Sequence, residues 1–379
     1  MNRVALQMLT GDSSKYLSLI FSISFATLLM TQQVSIFMGI VTRTGNQILD
    51  VRDASIWVMD PKTRFIDEVP PLRSTELDRV RSVEGVDWAV KFYKGQVRAR
   101  TESGEFRNVI LLGVDDDSLV GAGREMLQGN LEDLRLPDAV FVDKAGYEYM
   151  WPGEPIRLGR EFQMNDTRVV LRGVCKSLSP FTSLPIIYSR YSVAKNLIPG
   201  ERNMLTFVLA EPKPGADISE VCRNIQSQTG LAAMSRDAFF WKTVDYTLSS
   251  TGIPINFGIT IALGFIVGVT VAGQTFYLFT IENLRQFGSL KAMGMSNLRI
   301  VGMILLQATV VGIIGYSIGV GLTAAFFTYT NRLTHLAGMN MTLLAALLVG
   351  AAVMMIIVLA SLVSIRRVIV LEPAEVFRG

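Results

Sequence analysis

The chain has 379 residues, half of them hydrophobic and only 18% charged, with a formal net charge of +3. This balance is greasier than that of an ordinary soluble domain, so membrane insertion is the first property to test. The small charge excess, with no basic run, argues against a nucleic-acid partner.

Charge is distributed unevenly. No Asp, Glu, Lys or Arg occurs in the 27 residues between Lys15 and Arg43, the 36 between Asp245 and Glu282, the 32 between Arg299 and Arg332, or the 33 between Arg332 and Arg366. Each stretch exceeds the roughly 20 apolar residues needed to cross a hydrocarbon core. Of the charged residues, 56 fall within 43–245 and 13 outside it. The predicted fold is therefore a membrane α-helical protein with four transmembrane helices and an inserted extracytoplasmic α+β domain.

In chain order the expectation is a cytoplasmic N-terminal helix at 1–15, transmembrane helix 1 at 16–42, and the inserted domain at 43–245. A stalk and transmembrane helix 2 follow at 246–281, a short basic helix at 282–297, transmembrane helix 3 at 298–330, a short outer loop at 331–340, transmembrane helix 4 at 341–365 and a tail at 366–379. Arg3, Lys15, Arg285, Lys291, Arg299, Arg366, Arg367 and Arg378 lie in the segments assigned to one side of the bilayer. The positive-inside tendency makes that side the cytoplasm, with both termini in it and the large domain outside. The first apolar stretch is longer than the ~7 to 15 residues of a signal-peptide core, which makes it an uncleaved anchor.

Within the inserted domain, "ASIWVMD" reads as a strand, and "STELDRVRSVEGV" as a helix with Ser74 or Thr75 as N-cap and Gly85 as stop. "WAVKFYKGQVRAR" and "FRNVILLGVD" read as strands. After the Gly-rich "GAGREMLQGN" come the strand-like pieces "AVFVD", "EPIRLG", "RVVLRGV" and "LPIIYS". A further strand, a Pro/Gly turn and an amphipathic helix with Ile218, Val221, Cys222 and Ile225 on one face complete it. Two subdomains with a boundary near 121–129 are expected. Cys175 and Cys222 fall in this domain, where an oxidising compartment would permit a disulfide, although two isolated cysteines do not establish one.

Little chemistry is on offer. No G-x-x-x-x-G-K-[ST] segment exists, so the chain has no P-loop with which to hold ATP. The single histidine, His335, rules out a His-rich metal site. "VDDDS", Asp115 to Asp117, reads as a solvated loop ahead of a cation site. No span carries an internal acid or base, which argues against a carrier driven by an ion gradient. Gly264, Gly268 and Ala272 in the second span, and Gly315 and Gly319 in the third, recur at four-residue spacing, as small residues do where membrane helices approach closely.

Between spans two and three, "LRQFGSLKAMGMSN" reads as a short helix ended by Gly294, with Ser296 or Asn297 capping the next. The wider pattern "ENLRQFGSLKAMGMSNLRIVGMILLQA" resembles the signature region of FtsX-like permeases of the MacB type. The matching positions are Gln286, Phe287, Gly288, Leu290, Lys291, Ala292, Gly294 and Ser296, with Gln307 and Ala308 in the following span. Gln286 stands where many relatives carry Glu. The ending "VLEPAEVFRG" and the four-span layout are also similar to that family, and the first span and the domain size look most like its DevC and HrtB branch.

The resemblance implies the permease subunit of a bacterial ABC exporter in the cytoplasmic (inner) membrane, non-catalytic itself. Two copies would pair with two copies of a cytoplasmic ABC ATPase, which binds ATP and magnesium. The 282–297 segment would be the coupling helix, docking through Arg285, Gln286, Phe287, Leu290, Lys291 and Met293. Mechanotransmission through the stalk would then move a hydrophobic or amphipathic cargo outward, with or without a periplasmic adaptor and an outer-membrane channel. Haem is one candidate cargo, for which His335, Met339, Met341 and Tyr329 are the available ligands. A regulatory permease like FtsX, controlling a cell-wall hydrolase, and a lipoprotein-releasing permease like LolC are the alternatives.

Overall fold

The structure is a computed structural model that describes residues 5, 7–9, 13–198, 204–331 and 340–370. It divides into two units, one formed by residues 40–251 and the other by the described residues of 1–39 and 252–379. Helix α1 (Ser13–Asp50) supplies residues to both.

The 40–251 unit begins with β1 (Ile56–Met59), β2 (Leu72–Arg73), α2 (Glu76–Arg81), the long strand β3 (Val86–Arg100) and β4 (Phe106–Val114). Next come β5 (Glu125–Gln128), a single 3-10 turn, β6 (Ala139–Asp143), α3 (Lys144–Met150), β7 (Glu161–Met164), β8 (Thr167–Lys176), β9 (Ile186–Arg190) and α4 (Tyr191–Leu197). The unit ends with β10 (Met204–Leu205), β11 (Phe207–Pro212), α5 (Ile218–Thr229), β12 (Ala232–Ser235) and α6 (Arg236–Ser250). Helix α5 shows why the sequence starts and stops where it does. The Asp217 carboxylate accepts the Ser219 N–H at the N-cap, Gly230 takes φ +73° at the C-cap, and Val221, Cys222 and Ile225 form the buried stripe. A left-handed residue costs glycine no Cβ clash.

Ten strands make one sheet in the order β12-β1-β11-β3-β4-β9-β6-β8-β5, with β7 bridging β3 and β8. The expected break at 121–129 does not divide it. Residues 86–92 of β3 pair antiparallel with β11, and Tyr93–Arg100 pair with β4. From there the path β3, β4, β9, β6, β8 and β7 closes back onto β3. The two lobes, one open and one closed, therefore share a single strand and meet within β3. The Gly-rich segment packs onto this sheet. A Cβ on Gly121, which has φ +92°, would lie 2.7 Å from the Phe92 ring, and one on Gly129 would lie 2.5 Å from the Arg172 carbonyl oxygen.

The segment "EPIRLG" is also not a strand. Its backbone is spent locally, with the Tyr147 hydroxyl donating to the Pro155 carbonyl at 2.7 Å and accepting the Arg157 N–H at 3.1 Å, and the strand starts at Glu161 instead.

Alternation along the strands feeds two core clusters. In β1, Ile56 and Val58 enter the cluster that α2 and α5 cover, while Trp57 and Met59 enter the other. Cys222 lies in the first cluster and Cys175 in the second, and both thiols are free. The disulfide that the sequence permitted is therefore not formed. Burial pushes the Cys175 thiol up to about 12 and that of Cys222 up to about 11, which leaves both as unreactive core residues.

In the second cluster the Trp57 ring sits 5.6 Å from Phe92, 5.2 Å from Phe207 and 5.6 Å from Phe239, fixing α6 against the sheet. Helix α6 in turn meets the last turns of α1, where a Cβ on Gly45 would lie 2.3 Å from Phe240 Cδ2.

The second unit is helical. Helix α6 stops at Ser250, Thr251 is extended, and α7 (Ile253–Glu282) starts with Pro254 in its first turn, so the segment expected as stalk and second span is broken at Thr251–Gly252. Then come α8 (Leu284–Ala292), α9 (Asn297–Thr330) and α10 (Leu343–Val370). Helices α1, α7, α9 and α10 are each long and apolar enough to cross a membrane.

Candidate functional site

Two features of the helical unit bear on function: how its long helices pack, and what α8 presents. The small residues singled out in the sequence stand at helix contacts. A Cβ on Gly264 would lie 3.2 Å from Met30 Cγ, and one on Gly268 would lie 3.0 Å from Ala26 Cβ and 2.9 Å from Ile356 Cδ1. Ala272 is fully buried. On α9, a Gly315 Cβ would meet Ile23 at 2.8 Å, and a Gly319 Cβ would meet the Ser24 carbonyl oxygen at 2.6 Å. Helix α1 is thus received by glycine-lined surfaces on both α7 and α9. Ser24 and Thr27 donate their hydroxyls to the carbonyls of Ile20 and Ile23, which satisfies them within α1.

Helix α8 is tightly delimited. The Asn283 carbonyl accepts the N–H groups of Gln286 and Phe287 at 3.0 and 3.1 Å. At the far end Gly294 takes φ +89°, the Gly294 N–H reaches the Lys291 carbonyl at 3.0 Å, and the Met295 N–H reaches the Leu290 carbonyl at 3.1 Å. This left-handed closure stops the helix. Ser296 is the extended N-cap of α9, though its side chain makes no capping bond.

The face that α8 exposes differs from the expected one. Phe287 is completely buried, packed with Ile300, Ile304 and Val368. Its ring fills a pocket of the chain's own core, so it is not part of the surface that α8 exposes. Leu290 and Lys291 are half-buried, and Lys291 Nζ donates to the Ile369 carbonyl at 2.9 Å. Arg285 and Gln286 remain exposed, as does Met293, with 74% of its surface accessible. Sequence reasoning missed Leu298, which is 84% exposed, and the exposed Arg299. A signal was present. The buried face of α9 runs through Ile300, Met303, Ile304, Gln307, Ala308 and Val311, and Leu298 is out of phase with it.

Gln307, part of the Gln-Ala pair in the resemblance, is buried and donates from Nε2 to the Ala5 carbonyl at 2.7 Å. Of the haem-ligand candidates, Tyr329 is exposed and Met341 half-exposed, while His335 and Met339 lie outside the described residues, as does most of the tail "VLEPAEVFRG". Among the described residues no three His, Cys, Asp or Glu side chains are grouped to hold a metal ion. The acidic run is used structurally: Asp115 accepts the N–H and hydroxyl of Ser118, and Asp116 accepts the N–H and hydroxyl of Ser192 at the start of α4.

Four long apolar helices with a sheet-rich insertion after the first define a membrane protein class. Residues 249–373 match the family described as FtsX-like permease C-terminal. Two uncharacterized ABC transporter permeases of Mycobacterium tuberculosis, from strains CDC 1551 and H37Rv, are each 30% identical over 126 residues, or 33% of this chain and 34% of the relative. The match thus spans about a third of the length of these curated relatives.

Two solved domains are also similar. The periplasmic region of MacB from Actinobacillus actinomycetemcomitans is 14% identical, with a TM-score of 0.40, covering 54% of this chain and 96% of that one. The extracellular domain of the noncanonic ABC-type transporter YknZ from Gram-positive bacteria is 16% identical, with a TM-score of 0.35, covering 48% of this chain and 98% of that one.

Proposed function

We propose that this chain is the permease subunit of an ATP-driven exporter whose ATPase is a separate polypeptide docking on residues 284–299. In this reading two copies of the chain and two ATPases assemble in the bacterial cytoplasmic membrane, with both termini and α8 on the cytoplasmic side and the 40–251 domain outside. ATP-driven movement of α8 passes through α7 and α1 to that domain and drives a hydrophobic or amphipathic cargo outward. An adaptor and an outer-membrane channel would be added where an outer membrane exists.

One observation carries the proposal. The residues that match the FtsX-like permease family surround a short, capped helix whose connection to α9 leaves Met293 and Leu298 bare beside Arg285, Gln286 and Arg299. Exposed apolar side chains ringed by polar ones are the usual make-up of a docking patch. The absence of a P-loop sequence and of ionisable residues within the spans agrees with fuel supplied by another protein.

The test is co-purification of the chain with a cytoplasmic ABC ATPase of the same organism. Met293→Asp combined with Leu298→Asp abolishes capture while the permease still elutes as a folded species. Undiminished capture would move the docking site elsewhere. Haem as the cargo is a narrower version of the same proposal, which a haem titration without a Soret shift would remove.

A further inference from the structure

Helices α9 and α10 leave a cleft along their shared flank. A Cβ on Gly312 would overlap Ile357 Cδ1, which marks one close contact between them. The other is made by Tyr316, whose hydroxyl donates to the Ala346 carbonyl at 2.8 Å and would lie 3.3 Å from a Cβ on Gly350. The cleft at these contacts holds about 340 Å³, with the two glycines in its floor and Ile313, Leu347, Ala351 and Met354 along its rim. That is within the roughly 300 to 1,000 Å³ of small-molecule sites. Tyr316 is the one polar side chain in the lining, and its hydroxyl is already spent on Ala346. An apolar hollow of this kind stays dry and takes hydrocarbon.

Depth decides what can enter. Tyr316 stands at the centre of the charge-free stretch between Arg299 and Arg332, and Gly350 at the centre of the one between Arg332 and Arg366. At that depth a bilayer offers hydrocarbon and no headgroup. A second protein helix is the other apolar body available there, but with its side chains it is about 10 Å across. Ile313, Leu347 and Met354, which are 58%, 62% and 51% exposed, would hold such a helix off the glycines. A single flexible run of methylenes passes between these side chains and reaches the floor.

We propose that the cleft between α9 and α10 is a binding site for one acyl chain of a membrane phospholipid, retained there in preference to the lipid that surrounds the other faces of the spans. The gain is packing, because in lipid an unfilled hollow over two glycines forfeits dispersion contacts that a seated chain restores. The site requires that α9 and α10 cross a bilayer and nothing more, so a chain that exported no cargo would have it too.

Photolabelling of the full chain in phosphatidylcholine nanodiscs tests this, the probe being a phosphatidylcholine with a diazirine midway along one acyl chain. Label mapped by mass spectrometry concentrates on Ile313, Leu347, Ala351 and Met354. It exceeds several-fold the label on Leu348 and Met355, the chain neighbours of Leu347 and Met354, which are 52% and 55% exposed but stand outside the cleft. Ala351→Phe, which fills the cleft from its exposed rim, removes that excess, whereas Leu348→Phe keeps it. Equal labelling inside and outside the cleft would mean ordinary boundary lipid and overturn the site, as would an excess that survives Ala351→Phe. Labelling of the cleft below that of Leu348 would also overturn it, by showing that a second copy of the chain covers this face.

Discussion

Gly45 and Phe240 are in direct contact, so close that a Cβ on Gly45 would lie 2.3 Å from the ring. This glycine lets the last turns of α1 lie against α6, the two helices through which residues 40–251 continue into the apolar helices.

Replacing Gly45 with Val forces the Phe240 ring aside in a well-packed region, for which overpacking typically costs about 1 to 3 kcal/mol. Thermal unfolding of the full chain in detergent should show a lower Tm, with Gly45→Val, Phe240→Ala recovering part of the loss. A wild-type Tm for Gly45→Val would mean that the contact is not formed.

Gly319 on α9 is the strictest of the intramembrane glycines, because the Cβ it lacks would lie 2.6 Å from a backbone atom, the Ser24 carbonyl oxygen. A side chain can swing away but this carbonyl cannot, so Gly319→Leu separates α9 from α1. The full chain in detergent should therefore unfold at a lower Tm with Gly319→Leu than with Gly321→Leu, where an added Cβ would meet nothing within 4 Å. Equal Tm values for the two variants would contradict the assigned packing.

Phe287 and Met293 sit six residues apart and should behave oppositely. Phe287→Ala empties the pocket formed with Ile300, Ile304 and Val368 and should cost about 3 to 5 kcal/mol, seen as loss of folded protein. Met293→Ala, on a side chain that is 74% exposed, should leave Tm unchanged within error and weaken ATPase binding alone. The reverse pattern would reinstate Phe287 as the anchor.

Lys94 predicts an alkaline signature. It is 4% exposed, and burial lowers its pKa while Asp67 opposes the shift, so the folded chain binds fewer protons than the unfolded one in the window just below 10.5. Stability therefore rises with pH across that window, and the rise ends at the ordinary lysine value. Lys94→Met should abolish the rise in alkaline unfolding curves. A wild-type curve that falls throughout would contradict the assignment.

Much of this was legible in the sequence because lipid imposes simple demands. Four charge-free stretches gave the four helices, and the four-residue spacing of Gly264, Gly268, Gly315 and Gly319 marked real contacts, since both follow from local composition and helical period. The shared strand β3 was not legible. Residues 88–100 read as one strand, but nothing local shows that Phe92 and Tyr93 turn to different partners, which depends on pairing with residues more than a hundred positions away in β11.

The burial of Phe287 was not legible for a related reason. Phe287 and Leu290 lie on one helix face, and periodicity cannot tell a face turned to a partner from one turned to Ile304 of the same chain. The phase of α9, read back from Ile300, would have exposed Leu298.

The claim that fuel is burned by another polypeptide is tested most directly by ATP hydrolysis in nanodiscs, using the purified chain alone, the ABC ATPase that co-purifies with it alone, and both together. The account predicts no hydrolysis by the chain alone and a several-fold rise over the ATPase when the two are combined, lost with Met293→Asp and Leu298→Asp. Hydrolysis by the purified chain unaided, or stimulation that survives both substitutions, would contradict it.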